Sequence, residues 1–284
     1  VVDAPVELTG VAIEVRALAP RLDAVMRWTG LSDPGPAIRV VLAPESAEVA
    51  KSSPAWVSGF ARPAESLVVL FPGRLGAYPD ASLERLLLHE VAHVLIHRAA
   101  GGQAVPRWFD EGLAMAASRE TEIGDRARVA LAVMSETSLP LARIDQTFTN
   151  RRANPTSAYA LAQDFVRDLI RRFGPGIGAD ILAGLARGES FPIAFRVATG
   201  VGLDEVEQSY WQRRSWWDRW VPLLSSSAVL WAVITLLALA AFRRRAAIDA
   251  EVRAGWEEHG DLEPEAAAPA ELEGPEPDDD EVVN

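Results

Sequence analysis

The chain has no cysteine, which excludes disulfides and any thiolate-held metal. Lys51 is its single lysine, and no stretch offers a basic surface of the kind nucleic acid requires, so a nucleic-acid partner is not expected. The chain opens at Val1 with neither a methionine nor a basic segment followed by an apolar run. A signal peptide is expected to have been removed or to lie outside this sequence. Histidine is scarce too, with four in the chain, yet His89, His93 and His97 fall at four-residue steps. What is abundant is apolar: 49% of 284 residues is enough to bury a full core, in one domain or two.

The chain is organised around Leu86-Leu87-Leu88-His89-Glu90-Val91-Ala92-His93-Val94-Leu95-Ile96-His97. In a helix the step from His89 to His93 is close to one turn, so both imidazoles leave one face about 6 Å apart, a spacing that suits two ligands of one metal. Glu90 points to the flank of that face, where a carboxylate reaches a metal-activated water without binding the ion. This is the HExxH arrangement of zinc peptidases. The surrounding leucines, Val94 and Ile96 would bury the rest of the helix and give a metal site the rigidity it needs. Asp80 or Ser82 can cap the helix, which should run to about Arg98 and stop at Gly101-Gly102. His97, one turn beyond His93, belongs outside the metal shell, with a capping or packing role near the helix C-terminus.

Two histidines on a helix are common, and a third ligand is what decides between a metal site and chance. Pro106-Arg107-Trp108-Phe109-Asp110-Glu111-Gly112-Leu113-Ala114 reads as a second helix with proline in its first turn, and Glu111 is its candidate ligand. Gly112 costs a helix interior about 1 kcal/mol, a cost that makes sense if two helices must approach closely around an ion.

His89-Glu90-Val91-Ala92-His93 followed by Trp108-Phe109-Asp110-Glu111-Gly112-Leu113-Ala114 resembles the gluzincin metallopeptidases, and looks closest to the peptidase MA-like domains of bacterial extracytoplasmic proteins. The resemblance extends from roughly Ile38 to Trp211 through Tyr159-Ala160, Phe165-Val166, Leu169, Phe173-Gly174, Ala194-Phe195, Gly200 and Leu203 to Glu207. It implies one zinc ion held by His89, His93 and Glu111, with Glu90 as general base. It also implies that the strand just before the metal helix is the edge along which an extended substrate pairs its backbone; a plain core strand is the alternative. Some gluzincins place an acidic residue one turn after the glutamate ligand to orient a histidine. Met115 stands there, so the sequence names no residue for that task.

Upstream, Val6 to Leu31 carries apolar residues near helical spacing, with Pro20 as an interruption and Gly30 as a stop, and Val11 to Val15 could instead be extended. Pro36 to Ala43, Ala55 to Ala61 and Glu65 to Phe71 read as three strands. Downstream of Glu111 the helix should reach about Arg119, Arg126 to Glu136 reads as another, and Leu139 to Thr156 reads as an irregular loop able to wall a cleft. Tyr159 opens the next helix, where its phenol could donate to the oxyanion of a tetrahedral intermediate or simply pack on the helix N-terminus. Gly174-Pro175-Gly176 breaks the chain, and Gly200-Val201-Gly202 precedes a last helix.

Val221 to Phe242 carries no charge and is long enough at 1.5 Å per residue to cross ~30 Å of hydrocarbon, so it reads as a transmembrane helix. Trp216, Trp217 and Trp220 stand at its front edge and Arg243-Arg244-Arg245 directly after it. A cleaved signal peptide would make this a single-pass protein of the cell (inner) membrane, with the metal domain extracytoplasmic and the tail cytoplasmic. From Ala246 to Asn284 there are 14 acidic residues against Arg253, a balance of −13 that carries essentially all of the formal −12. Such a tail cannot bury enough apolar surface to fold alone and is expected to be disordered, with a cytoplasmic partner as one use for it.

The fold expected is α+β: a gluzincin-like metallopeptidase domain (a small mixed sheet plus the HExxH helix, then a helical subdomain), followed by one transmembrane helix and a disordered acidic tail. The domains expected are residues 1–218 for the peptidase, 219–245 for the transmembrane helix with its flanks, and 246–284 for the tail. The function expected is hydrolysis of peptide bonds in a peptide or protein substrate by a zinc-activated water, with Glu90 moving its proton. The alternative is a membrane-tethered, zinc-stabilised module that binds peptides without cutting them, and the intact Glu90 argues for the enzyme.

Overall fold

The computed structural model describes residues 1–76, 82–118, 140–149, 156–224, 231 and 234–245. It begins with strand β1 (Val2–Asp3), then helices α1 (Thr9–Ala17) and α2 (Leu22–Thr29). Pro20 falls in a short 3-10 turn between the helices, so the segment Val11 to Val15 is helical and ends before the proline that could not continue it. Gly30 ends α2 in the left-handed region at φ 73°, and a Cβ there would come within 2.7 Å of the Ala179 side chain. The glycine therefore serves both the turn and the packing beneath it.

Strand β2 (Arg39–Leu42), the short helix α3 (Glu48–Lys51), β3 (Gly59–Arg62) and β4 (Leu67–Leu70) follow. The sheet order is β1-β2-β4-β3, with β2 parallel to both β1 and β4, and β3 antiparallel to β4. Side chains alternate across a strand, and β4 uses both faces. Val68 and Leu70 join the main core, while Val69 and the following Phe71 join a smaller cluster with Ala43 and Ala50 on the other side. A strand apolar on both faces belongs in the interior of a sheet. The strand before the HExxH helix is thus paired on both sides and is not the edge expected of it; the edge strands are β1 and β3.

Helix α4 (Leu83–Ala99) carries the HExxH motif, and the Ser82 hydroxyl caps it by accepting from the Arg85 N–H at 3.3 Å. Its buried residues run all round its circumference, from Leu86, Leu87 and Leu88 to Val94, Leu95 and Ile96. That pattern fits a helix enclosed by neighbours, here the sheet, α2 and two later helices. Helix α5 (Arg107–Ser118) packs along α4. Beyond it lie α6 (Leu141–Thr149), α7 (Thr156–Phe173), α8 (Ile177–Ala186), α9 (Phe191–Thr199) and α10 (Leu203–Leu224). Gly112 of α5 does allow a close helix contact, but with α7 and not with α4. A Cβ at Gly112 would lie 2.5 Å from the Ala162 carbonyl oxygen and 2.6 Å from Val166.

The segment from Leu139 to Thr156, expected to be irregular, contains α6. Its buried Leu141 and Ile144 anchor one face, and Glu207 of α10 accepts the Leu141 N–H at 2.9 Å, satisfying the helix start from another element. The expected helix from Arg126 to Glu136 lies outside the described residues.

Packing divides the chain into two compact units, Val1–Arg219 and Trp220–Asn284. The expected transmembrane helix requires correction. Among the described residues no helix is long and apolar enough to cross a membrane. The front of the expected span, Val221 to Leu224, ends α10, a helix whose sequence includes Asp204, Glu205, Glu207, Arg213, Arg214, Asp218 and Arg219. Of the rest of the expected span, residues 231 and 234–242 are described, and they are helical. Residues 225–230, 232 and 233 of the span lie outside the described residues. The single-pass arrangement, the membrane as partner, the inner-membrane localisation and the membrane-anchored class of family member fall with that helix. The acidic tail, 246–284, also lies outside the described residues, so the structure supports neither it nor its cytoplasmic partner.

Candidate active site

Two helices build the site. On α4 the one-turn step puts His89 and His93 on one face, their ring centroids 4.8 Å apart and their planes nearly perpendicular. On α5, Glu111 points back at them from a position only 1% exposed. The Nε2 atoms of the two histidines are 3.3 Å apart, and Glu111 Oε2 stands 3.4 Å from each. These three residues are the one group of three or more potential metal ligands that converges among the described residues.

The triangle fits zinc. Nitrogen and carboxylate ligands sit ~2.0–2.1 Å from zinc, and two such ligands at a tetrahedral angle lie about 3.3–3.4 Å apart. The buried Oε2 has no hydrogen-bond partner although two ring nitrogens face it. An acceptor left so inside a protein is costly, and a cation between the three atoms removes that cost.

The other atoms of the group are held. His93 Nδ1 pairs with Asp110 Oδ1 at 2.9 Å, which leaves Nε2 free to face the centre. Asp110, the residue just before Glu111, thus takes the orienting task for which the sequence reading had no residue; Met115, where that residue was sought, is fully buried in the core. Its position beside the candidate ligand was the available signal, since the first turn of α5 faces α4. Arg107, one turn before Glu111, donates from Nε to Oε1 at 2.9 Å, and its Nη2 stands 2.8 Å from the same oxygen as an ion pair. His89 Nδ1 is buried without a hydrogen-bond partner.

The charges agree with this arrangement. Burial by itself would favour the neutral imidazole at His93, but the Asp110 and Glu111 carboxylates outweigh it and hold its pKa well above the ordinary histidine value. Burial would likewise raise the Glu111 carboxyl; the charge of His93, the closeness of both imidazoles and Arg107 outweigh that and hold it well below the usual carboxylate range.

Glu90 lies next to His89 on α4 and is buried, with 6% exposure. Tyr159 stands in the first turn of α7, its ring 6.5 Å from that of His89 and 5.0 Å from Phe148 of α6. His97 is outside the converging group and lies against Gly102 at the helix end. Asp145 of α6 accepts the Trp108 N–H at 2.7 Å, capping the start of the helix that carries Glu111. Nothing in the sequence pattern had marked Asp145.

A buried His/His/Glu group carried by an HExxH helix and its neighbour in an α+β domain defines a zinc-dependent metallopeptidase, with one zinc site per chain. The family model described as the Peptidase MA superfamily matches residues 48–216, more than half of the chain. The chain belongs to that family. No curated protein matches it.

Proposed function

We propose that His89, His93 and Glu111 are the zinc ligands of this metallopeptidase and that Glu90 is its general base, acting on a peptide or protein substrate. The observation that carries the assignment is the near-equilateral triangle of His89 Nε2, His93 Nε2 and Glu111 Oε2, with edges of 3.3, 3.4 and 3.4 Å. When bound, zinc supplies Lewis acidity to the attacking water and to the scissile carbonyl. Glu90, beside His89 on the same helix, takes a proton from that water and returns it to the leaving amine. Asp110 keeps the His93 ring in the tautomer that offers Nε2. We assign Tyr159, whose ring lies 6.5 Å from that of His89, the donation of a hydrogen bond to the developing oxyanion; packing against Phe148 at the start of α7 is the other reading of it. These roles require only the peptidase domain, which we place within residues 1–218.

The experiment pairs two substitutions. Glu90→Gln keeps the shape of the side chain and removes the base, so turnover of a peptide library should fall about 10²- to 10⁴-fold while one equivalent of zinc stays bound. His93→Ala should lose stoichiometric zinc by elemental analysis. Full zinc retention in His93→Ala would sink the ligand assignment, and wild-type turnover in Glu90→Gln would sink the role of the base.

A further inference from the structure

Arginine and glutamate one turn apart on a helix form an ordinary surface pair, and the guanidinium fork usually meets both carboxylate oxygens. The pair on α5 departs from that. Arg107 brings Nε and Nη2 together on the same oxygen, Oε1 of Glu111, at 2.9 and 2.8 Å. Oε2 receives no hydrogen bond at all and faces the two imidazoles at 3.4 Å each. The Glu111 side chain is 1% exposed, whereas that of Arg107 is 57% exposed. The two oxygens of one buried carboxylate are therefore treated in opposite ways.

We propose that Arg107 is a positioning residue that makes Glu111 a one-oxygen zinc ligand. The inference rests on the ligand assignment given under Proposed function. By occupying Oε1 with the Nε–H bond and the close Nη2 of the same guanidinium, the fork holds the carboxylate and removes one of its two oxygens from competition for the metal. One coordination position is then left open for water and substrate, as a catalytic zinc site requires. The Arg107 side chain is 57% exposed, so the clamp reaches the buried carboxylate from the protein surface. The spacing is written into the helix itself, since Arg107 and Glu111 are separated by one turn of α5. No other element has to arrive for the clamp to form.

The test compares Arg107→Met and Arg107→Lys with wild type in the full chain, using competition with a chelator for zinc and visible absorption after cobalt replaces zinc. Arg107→Met frees Oε1 to turn towards the metal. Zinc affinity should fall about 10- to 100-fold, the usual effect of removing a partner of a metal ligand. The cobalt absorption should weaken as the coordination number rises above four. Arg107→Lys, which keeps the charge and a donor without the planar guanidinium fork, should fall between Met and wild type. A merely structural pair would lower the melting temperature of the metal-free chain and leave both metal readouts alone. Zinc affinity within twofold of wild type and an unchanged cobalt spectrum would therefore overturn the proposal. Should Arg107→Met fail to fold, Arg107→Lys decides by the same readouts. His93→Ala, run alongside, separates the failures: retained zinc there overturns the ligand assignment itself, whereas zinc lost in His93→Ala but unaltered in both Arg107 variants overturns only the clamp.

Discussion

Helices α4 and α5 face each other across the zinc site, and they reach it by different means. Helix α4 presents His89, Glu90 and His93 through its own repeat, so their relative placement follows from the helix alone. Helix α5 must be brought to α4 from outside. Its start is capped by Asp145 of α6 at 2.7 Å, and its Gly112 lies against the backbone of α7, where a Cβ would meet the Ala162 oxygen at 2.5 Å. Two ligand positions are thus local properties, and the third is a property of the packing. Damage to the surroundings of α5 should therefore unmake the site even when no ligand is touched.

The largest break should come from Gly112→Ala. The methyl would improve helix propensity by about 1 kcal/mol, yet it collides with the Ala162 backbone, which cannot turn aside, as well as with the Val166 side chain. A net loss near the top of the usual overpacking range, about 3 kcal/mol, is expected by denaturant unfolding, together with weaker zinc binding because Glu111 is the adjacent residue. Gly10→Ala in α1, where the added carbon meets nothing within 4 Å, is the control and should leave zinc binding unchanged.

Next in size is Asp110→Ala. Loss of the 2.9 Å bond to His93 Nδ1 frees the ring tautomer, and zinc affinity measured against a chelator should fall about 10- to 100-fold. Asp110→Asn keeps an acceptor without the charge and should lose less. If both variants bind zinc as wild type does, the orienting role is wrong.

Acidity sharpens the comparison further. In the metal-free chain the raised pKa of His93 contributes stability that is complete below the ordinary histidine value and is lost as pH rises through the raised one. The lowered pKa of Glu111 contributes stability above the ordinary carboxylate value and loses it as pH falls through the lowered one. Zinc requires His93 without its proton, so below the raised value each pH unit should weaken zinc binding about tenfold. Melting curves should show the metal-free chain losing stability as pH rises through the raised His93 value while the zinc-loaded chain holds it. Parallel pH profiles for the two forms would contradict this.

The smallest effect is expected at Asp145→Ala, which removes a cap from α5 and should cost about 1 kcal/mol in unfolding experiments. Zinc affinity should drop slightly with it, since α5 loses its anchor to α6. A stability change with no effect on zinc would mean that α7 alone positions α5.

Sequence by itself determined what a helix repeat can determine. The HExxH spacing, a cap at Asp80 or Ser82, the stop at Gly30 and the strands around Val40, Phe60 and Val69 depend on neighbours a few residues away, and these were legible, with the structure choosing Ser82. The uncharged run from Val221 misled because its front residues complete the charged helix α10, which a composition window starting at Val221 does not see. Two-residue β1 is too short to carry a pattern, and α6 was hidden because its start is satisfied by Glu207, 66 residues away. Only the tertiary structure decided that β4 is interior, that Gly112 serves the contact with α7, and that Asp110 and Arg107 each take one atom of a residue at the zinc site. These depend on which elements meet, and the meeting is set by burial and shape summed over the whole core, a sum that no local spacing contains.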